Sequence, residues 1–350
     1  MSKSGLNNMV STEPTAIEMF NAEEHRAVRL ITDAIDRLDL SLEGLRVLTE
    51  VGTNNYLYTP IIAALAGAEQ VYAWTADTSY GKGSDTIRLC QALASKLNVL
   101  NRIEFINNER IADHIRMSNI ITNSGFLRPI DSDFLKYVDP TNCVLPLMYE
   151  AWEWREADVD LDACRRAGIR VAGTWENHPA LRIFDATGPL AVKLAMGAGF
   201  EVYRNNIAVW SSDDFGAVAA NTYRQMGAES VVQTTEKIEL SHILSELDFV
   251  YFCDYGEKLP LVGRNGIIEL AQIRERNPGL GIIHLFGELE YDVLASNGLR
   301  VYPPKTGIPH FMTETLAHLG IEPLLNLVVA GFKVGQSLFF NEPNDFCQLL

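Results

Sequence analysis

Apolar residues are distributed along this chain in two alternating ways. Short unbroken runs rich in Val, Ile and Leu are followed by longer stretches in which apolar positions recur three and four apart. The first pattern suits a buried strand, the second a helix with one apolar stripe. "RVLTEVG" (46–52) predicts a strand, "YTPIIAALAGAE" (58–69) a helix, and "QVYAWTAD" (70–77) the next strand. The alternation continues through the helix "SDTIRLCQALASKLNV" (84–99) and the strand "RIEFIN" (102–107). "NNERIADHIRM" (107–117) then leads to "NIITNSG" (119–125), "DSDFLKYVDP" (131–140) to "NCVLPLMY" (142–149), and "DLDACRRAG" (160–168) to "IRVAGT" (169–174).

The second half repeats the rhythm. Strands are expected at "NIAVWSS" (206–212), "SVVQTT" (230–235), "FVYFCD" (249–254), "LGIIHLFG" (280–287) and "LRVYPP" (299–304), with helices between them. The last segment, 310–338, reads as one long helix broken at Pro323. Strands that alternate with helices imply parallel sheets, because parallel neighbours need a crossover. The fold class is therefore α/β, with two Rossmann-like, doubly wound parallel-sheet domains. The natural passage between them is "RIFDATGPLAVKLAMGAG" (182–199). One domain is expected to comprise residues 1–188 plus 312–350 and the other 189–311, with an active site in the cleft between them.

Composition narrows the function classes. With 47% hydrophobic and 21% charged residues the chain is that of a globular protein. A formal charge of −16 and the lack of a Lys/Arg cluster argue against nucleic acid as a partner. No run of about 18 apolar residues suggests a membrane span, and the polar start "MSKSGLNNMVSTEPT" reads as a loose tail rather than a secretory signal. The five cysteines are scattered without a CxxC pair, which fits a reducing cytoplasm and no metal site.

"DVDLDACRRAGIRVAGTWENHP" (158–179), the crossover into "IAVWSSDDFGAVAANTYRQMGA" (207–228), and "TGIPHFMTETLAHLG" (306–320) together resemble the D-2-hydroxyacid dehydrogenases. The resemblance covers roughly residues 118 to 340 in order and spacing. It implies an NAD(P)-dependent oxidoreductase acting on a small carboxylate, and a homodimer formed largely through the second domain. His310 falls in the place of the family's general acid/base, a role suited to imidazole. The family's carboxylate-binding arginine has no counterpart, since Phe286 stands before Gly287; Glu288 and Glu290 are out of place for the glutamate that would orient the histidine. In the cofactor turn the glycine positions fall on Ser211, Asp213 and Gly216, so cofactor contacts are expected from Ser211, Ser212, Asp213, Phe215 and Gly216. Thr234 replaces the acidic ribose partner, and Asp254 closes the next strand. A carboxylate at 213 opposes a diphosphate by about 4 kcal/mol at ~4 Å and an effective dielectric of 20. Asp213 and Asp214 read equally well as helix caps.

"VLTEVGTNNYLYTPIIAALAGAEQVYAWTAD" (47–77) is also similar to the opening of an S-adenosylmethionine-dependent methyltransferase. Gly52 matches its first glycine, Asn54 replaces the second, and Thr75 replaces the ribose acid with Asp77 two residues on.

Several polar clusters follow strand ends. Thr53, Asn54, Asn55 and Tyr56 could bind a small polar ligand or form an ordinary turn. Asn123 and Arg128 follow another strand; Arg128 or Arg155 could anchor an anion, or serve a surface ion pair. Trp154 could stack on a planar ligand or pack in the core. Glu176 and His178 lie at the crossover as a second acid/base candidate, and Lys305 near His310 could hold an anion. His284, between Ile283 and Leu285, reads as a buried core histidine. Three functions stay open: the oxidoreductase, the methyltransferase, and a cofactor-free enzyme or non-catalytic binding protein that keeps the fold.

Overall fold

A computed structural model describes residues 20–79 and 81–350; the N-terminal tail lies outside these residues. The chain forms two compact units. Unit 1 runs to Trp175 and takes back Leu325–Leu350, and unit 2 is Glu176–Leu324. The sequence expectation put the divisions at 188/189 and 311/312.

Unit 1 is built on β1 (Arg46–Glu50), β2 (Gln70–Thr75), β3 (Ile103–Asn107), β4 (Ile120–Ile121), β5 (Val144–Pro146) and β6 (Arg170–Thr174). Unit 2 holds β7 (Asn206–Trp210), β8 (Ser230–Thr234), β9 (Phe249–Phe252), β10 (Gly281–His284) and β11 (Arg300–Tyr302). The chain returns to unit 1 for β12 (Cys347–Leu349). The sheet orders are β12-β6-β5-β4-β1-β2-β3 and β11-β10-β9-β7-β8. Every pairing is parallel except that of β12 with β6.

The strands are apolar because both faces of each sheet are covered. In unit 1, Leu48, Trp74, Ile121, Leu145 and Val171 pack on one side against Phe134, Leu161 and Cys164. The helix Glu322–Phe340 lies in the same unit's core, bringing Gly335 against Ile120 and Pro146. It is long and apolar enough to cross a bilayer by composition, and it is mostly buried. Its start differs from the sequence expectation. Pro323 falls in the helix's first turn, where no amide is needed, and residues 310–321 carry only a short 3-10 turn, Leu316–His318. In unit 2, β9 is buried along its length and packs against Leu240, Leu244 and Ile273 on one side and Leu190, Leu194 and Tyr223 on the other.

Local signals explain the ends of elements. The side chain of Asp160 accepts the Ala163 amide (2.7 Å) to cap the helix Leu161–Ala167, which Gly168 ends at φ +76°. A side chain at Gly216 would place its Cβ 2.4 Å from Ser211 Cβ, so the helix Asp214–Gln225 can approach β7 only through a glycine.

Candidate functional site

Ligands of open α/β sheets bind at the carboxyl ends of strands, where the strand order reverses. In unit 2 that point lies between β7 and β9. The turn Ser211–Asp213 leads there into the helix Asp214–Gln225, whose first amides would face an anion. The side chain of Asp213 caps one of them. Its Oδ1 accepts the Ser211 hydroxyl (2.6 Å) and, at 3.4 Å, the Gly216 amide; its Oδ2 accepts the Tyr255 amide (2.8 Å). Asp254 locks the same turn from β9. Its Oδ2 accepts the Ser212 amide (2.7 Å) and hydroxyl (2.8 Å), and its Oδ1 the Gly256 amide (2.9 Å). Thr234, at the end of β8, turns its hydroxyl oxygen to the Glu236 amide (2.9 Å). Two carboxylates thus stand in the turn where a diphosphate would approach the helix, and their charge opposes one there.

His310 lies beside this turn, exposed and in left-handed backbone (φ +64°). Its Nδ1 is 2.9 Å from the Tyr255 carbonyl, and its ring is 5.1 Å from that tyrosine's ring. A carbonyl only accepts, so Nδ1 carries the proton and Nε2 keeps its lone pair. A backbone carbonyl faces Nδ1 where the family resemblance expects a glutamate. Phe286 is buried, and with Phe184, Phe215 and Tyr255 it forms an aromatic wall, ring centroids 4.9 to 5.4 Å apart. Phe215 is half-buried and packs against the core.

The other candidates in unit 2 have local work. His178 caps a 3-10 turn by accepting the Ala180 amide at 3.3 Å, next to the half-buried Glu176. Lys305 pairs with Glu314 (2.5 Å). His284 is fully buried. Its Nε2 donates to the Pro303 carbonyl (3.1 Å) while Nδ1 lies 3.1 Å from the Thr313 hydroxyl, and desolvation pulls its pKa down to about 4.

In unit 1 the reversal lies between β1 and β4. The hydroxyls of Thr49, Thr122 and Ser124 form a buried chain, 2.9 and 2.8 Å apart. Burial pushes the Glu50 carboxyl above its ordinary range, against the opposing pull of the Phe126 and Gly125 amides and the Arg128 guanidinium. Arg128 is held by the Asn123 carbonyl (2.6 Å), by Asp158 (3.0 Å) and over the Tyr149 ring. Asn123 is buried; its Oδ1 accepts the Met148 amide (2.8 Å), and its Nδ2 has no hydrogen-bond partner among the described residues. Thr53 precedes the 3-10 turn Asn54–Tyr58, with Asn54 at φ +54°, Asn55 half-buried and Tyr56 exposed next to Glu50. Trp154 donates to the Val159 carbonyl (2.8 Å) and packs on the core, while Arg155 is exposed.

A cavity of about 470 Å³ opens at this end of unit 1, lined by the ends of β2 (Trp74–Ala76) and β3 (Asn108–Arg110) and by Gly125, Phe126 and Arg128 after β4. Sequence reasoning singled out only Arg128 and Thr75 of these. The rest come together through the strand order, for which no motif stands. Among the described residues no group of three His, Cys, Asp or Glu side chains is placed to hold a metal ion.

No family model and no curated protein matches the chain. Solved structures do. One of these, from the dipicolinate synthase of Bacillus halodurans, is 12% identical with a TM-score of 0.52, covering 87% of this chain and 100% of that one. Its counterpart from the dipicolinate synthase of Bacillus subtilis is 13% identical (TM-score 0.50; 87% and 97% covered). The pyruvate reductase of Chlamydomonas reinhardtii is 14% identical (TM-score 0.50; 88% and 99% covered). The two parallel sheets and the order of their elements give this chain the D-2-hydroxyacid dehydrogenase-like fold.

Proposed function

We propose that the protein is a small-molecule enzyme of the D-2-hydroxyacid dehydrogenase-like fold in which His310 moves a proton. The observation that carries this reading is the single bond from Nδ1 to the Tyr255 carbonyl, which fixes the tautomer and leaves Nε2 basic at an exposed position. Nε2 would take a proton from a substrate carbon or hydroxyl, and the imidazolium so formed would return it. The carbonyl, as an acceptor, supports both states of the ring. Unit 2 supplies no cation beside the histidine from the position of Phe286, and Lys305 is already paired. The Ser211–Gly216 turn is closed by Asp213, so the reaction proposed here takes no step through a nicotinamide bound there.

The pyruvate reductase among the solved structures makes 2-oxo and 2-hydroxy acids the first compounds to test. Protein incubated with a panel of them in D₂O is followed by proton NMR for loss of signal next to the carbonyl. His310-dependent exchange supports the reading, and His310→Gln should slow it by about 10² to 10⁴-fold. Exchange or turnover that ignores His310→Gln would overturn it. NADH oxidation by the unaltered protein with any of these acids would restore a dinucleotide-dependent dehydrogenase.

A further inference from the structure

The two sheets divide the expected roles in an unexpected way. Unit 2, where the resemblance places the cofactor, has the order β8-β7-β9-β10-β11. That is the flavodoxin-like arrangement 2-1-3-4-5. Unit 1 has β3-β2-β1-β4-β5-β6, the order 3-2-1-4-5-6 of dinucleotide-binding sheets, extended by the antiparallel β12. The 470 Å³ cavity of unit 1 reaches from the end of β3 across β2 to the turn after β4. It lies at the carboxyl ends of β2 and β3 and beside the turn after β4, next to the point where the strand order reverses. Its volume is in the range of small-molecule sites.

From this placement and the chemistry of the walls, we infer that unit 1 binds a nucleoside without a phosphate in this cavity. Phe126, half-buried, offers a ring face for a planar base. Glu109, exposed at the rim, offers two acceptor oxygens to ribose hydroxyls.

The cations on the wall are turned to the protein's own oxygens. Arg110 donates to the carbonyls of Phe126 and Arg128, and Arg128 is spent on the Asn123 carbonyl and on Asp158. Glu109, exposed at the rim, adds negative charge there, which opposes an anion. The inference concerns a unit other than the one that holds His310, so it stands or falls separately from the proton-transfer reading.

The test is calorimetric titration of the whole chain with adenosine, uridine, S-adenosylhomocysteine and AMP, followed by hydrogen–deuterium exchange on the complex. The expected result is binding of at least one phosphate-free nucleoside, with slower exchange confined to peptides from 74–77, 103–110 and 123–128. Glu109→Gln, at an exposed position that leaves folding intact, should weaken binding about tenfold or more, as loss of a charge-assisted hydrogen bond does. Phe126→Ala should weaken it about five- to hundredfold through lost stacking. No binding by any nucleoside, tighter binding of AMP than of adenosine, binding indifferent to Glu109→Gln and Phe126→Ala, or protection falling on 207–216 would each overturn it.

Discussion

Replacing Asp213 by alanine tests whether the turn after β7 is closed by its own carboxylate. The side chain accepts two short hydrogen bonds, from the Ser211 hydroxyl (2.6 Å) and the Tyr255 amide (2.8 Å), and a long one from the Gly216 amide (3.4 Å). A hydrogen bond to a charged group contributes about 1.5–3 kcal/mol, so the two short ones set an upper bound of about 3–6 kcal/mol. The Ser211 hydroxyl can turn elsewhere and water can reach the vacated amides, which leaves an expected loss of about 2–4 kcal/mol. For a unit of this size that is a fall of about 5–15 °C in the melting temperature of unit 2. Calorimetry of the unaltered protein and of Asp213→Ala, each with and without sulfate, reads both the loss and its cause. Sulfate strengthens burial in any protein, so the informative quantity is the difference. The variant should recover more stability than the parent, because an external anion can enter the place the carboxylate left. A loss below about 0.5 kcal/mol, or equal gains from sulfate in both proteins, would refute the account of a self-filled anion site.

Other outcomes follow from the same geometry. His284 is held neutral in the core with its pKa pulled down to about 4, while the unfolded chain protonates near 6.5. Between those values the unfolded state binds more protons, so stability present above pH 6.5 should be lost as pH falls toward 4, by about 1.4 kcal/mol per pH unit from this residue. His284→Gln should flatten that slope in urea titrations, and an unchanged slope would exclude the histidine as its source. Gly216→Ala should cost about 1–3 kcal/mol by overpacking, because its Cβ would stand 2.4 Å from that of Ser211; a neutral result in thermal unfolding would show that β7 and its helix can separate freely. Thr122→Val should cost about 1–3 kcal/mol in chemical unfolding, since it strands the hydroxyls of Thr49 and Ser124.

Much of the architecture can be read from apolar spacing alone. Each of the runs at 46–52, 70–77, 206–212, 249–254 and 280–287 contains a strand, because a largely buried run has few polar interruptions to disguise it, and the run at 102–107 contains one at the sheet edge in spite of the exposed Glu104. "NIITNSG" (119–125) pairs only at Ile120–Ile121, where the apolar run stops and the buried Thr122–Ser124 hydroxyls begin. Strand β12 is invisible in advance: Cys-Gln-Leu at a sheet edge shows no periodicity over three residues. Strand order leaves no trace in a linear pattern either, which is why the cavity of unit 1 is illegible although each of its strands is not. At the turn after β7 the reading of Asp213 as a helix cap is met, since its side chain accepts the Gly216 amide. His310 is a candidate through its neighbouring Pro and a family spacing. Its orienting partner, a backbone carbonyl, carries no residue identity for a sequence to display.

The antiparallel β12 has a consequence for assembly. A sheet grown by crossovers leaves its last strand with a row of unpaired amides and carbonyls, an open template for a foreign strand. Here the polypeptide's own tail covers that row, pairing Cys347, Gln348 and Leu349 with Thr174, Gly173 and Ala172, and Leu350 with Val171. The edge on that side is thereby moved from β6 to β12, which is only three residues long and so a short template, while β3, with Glu104 exposed, forms the opposite edge.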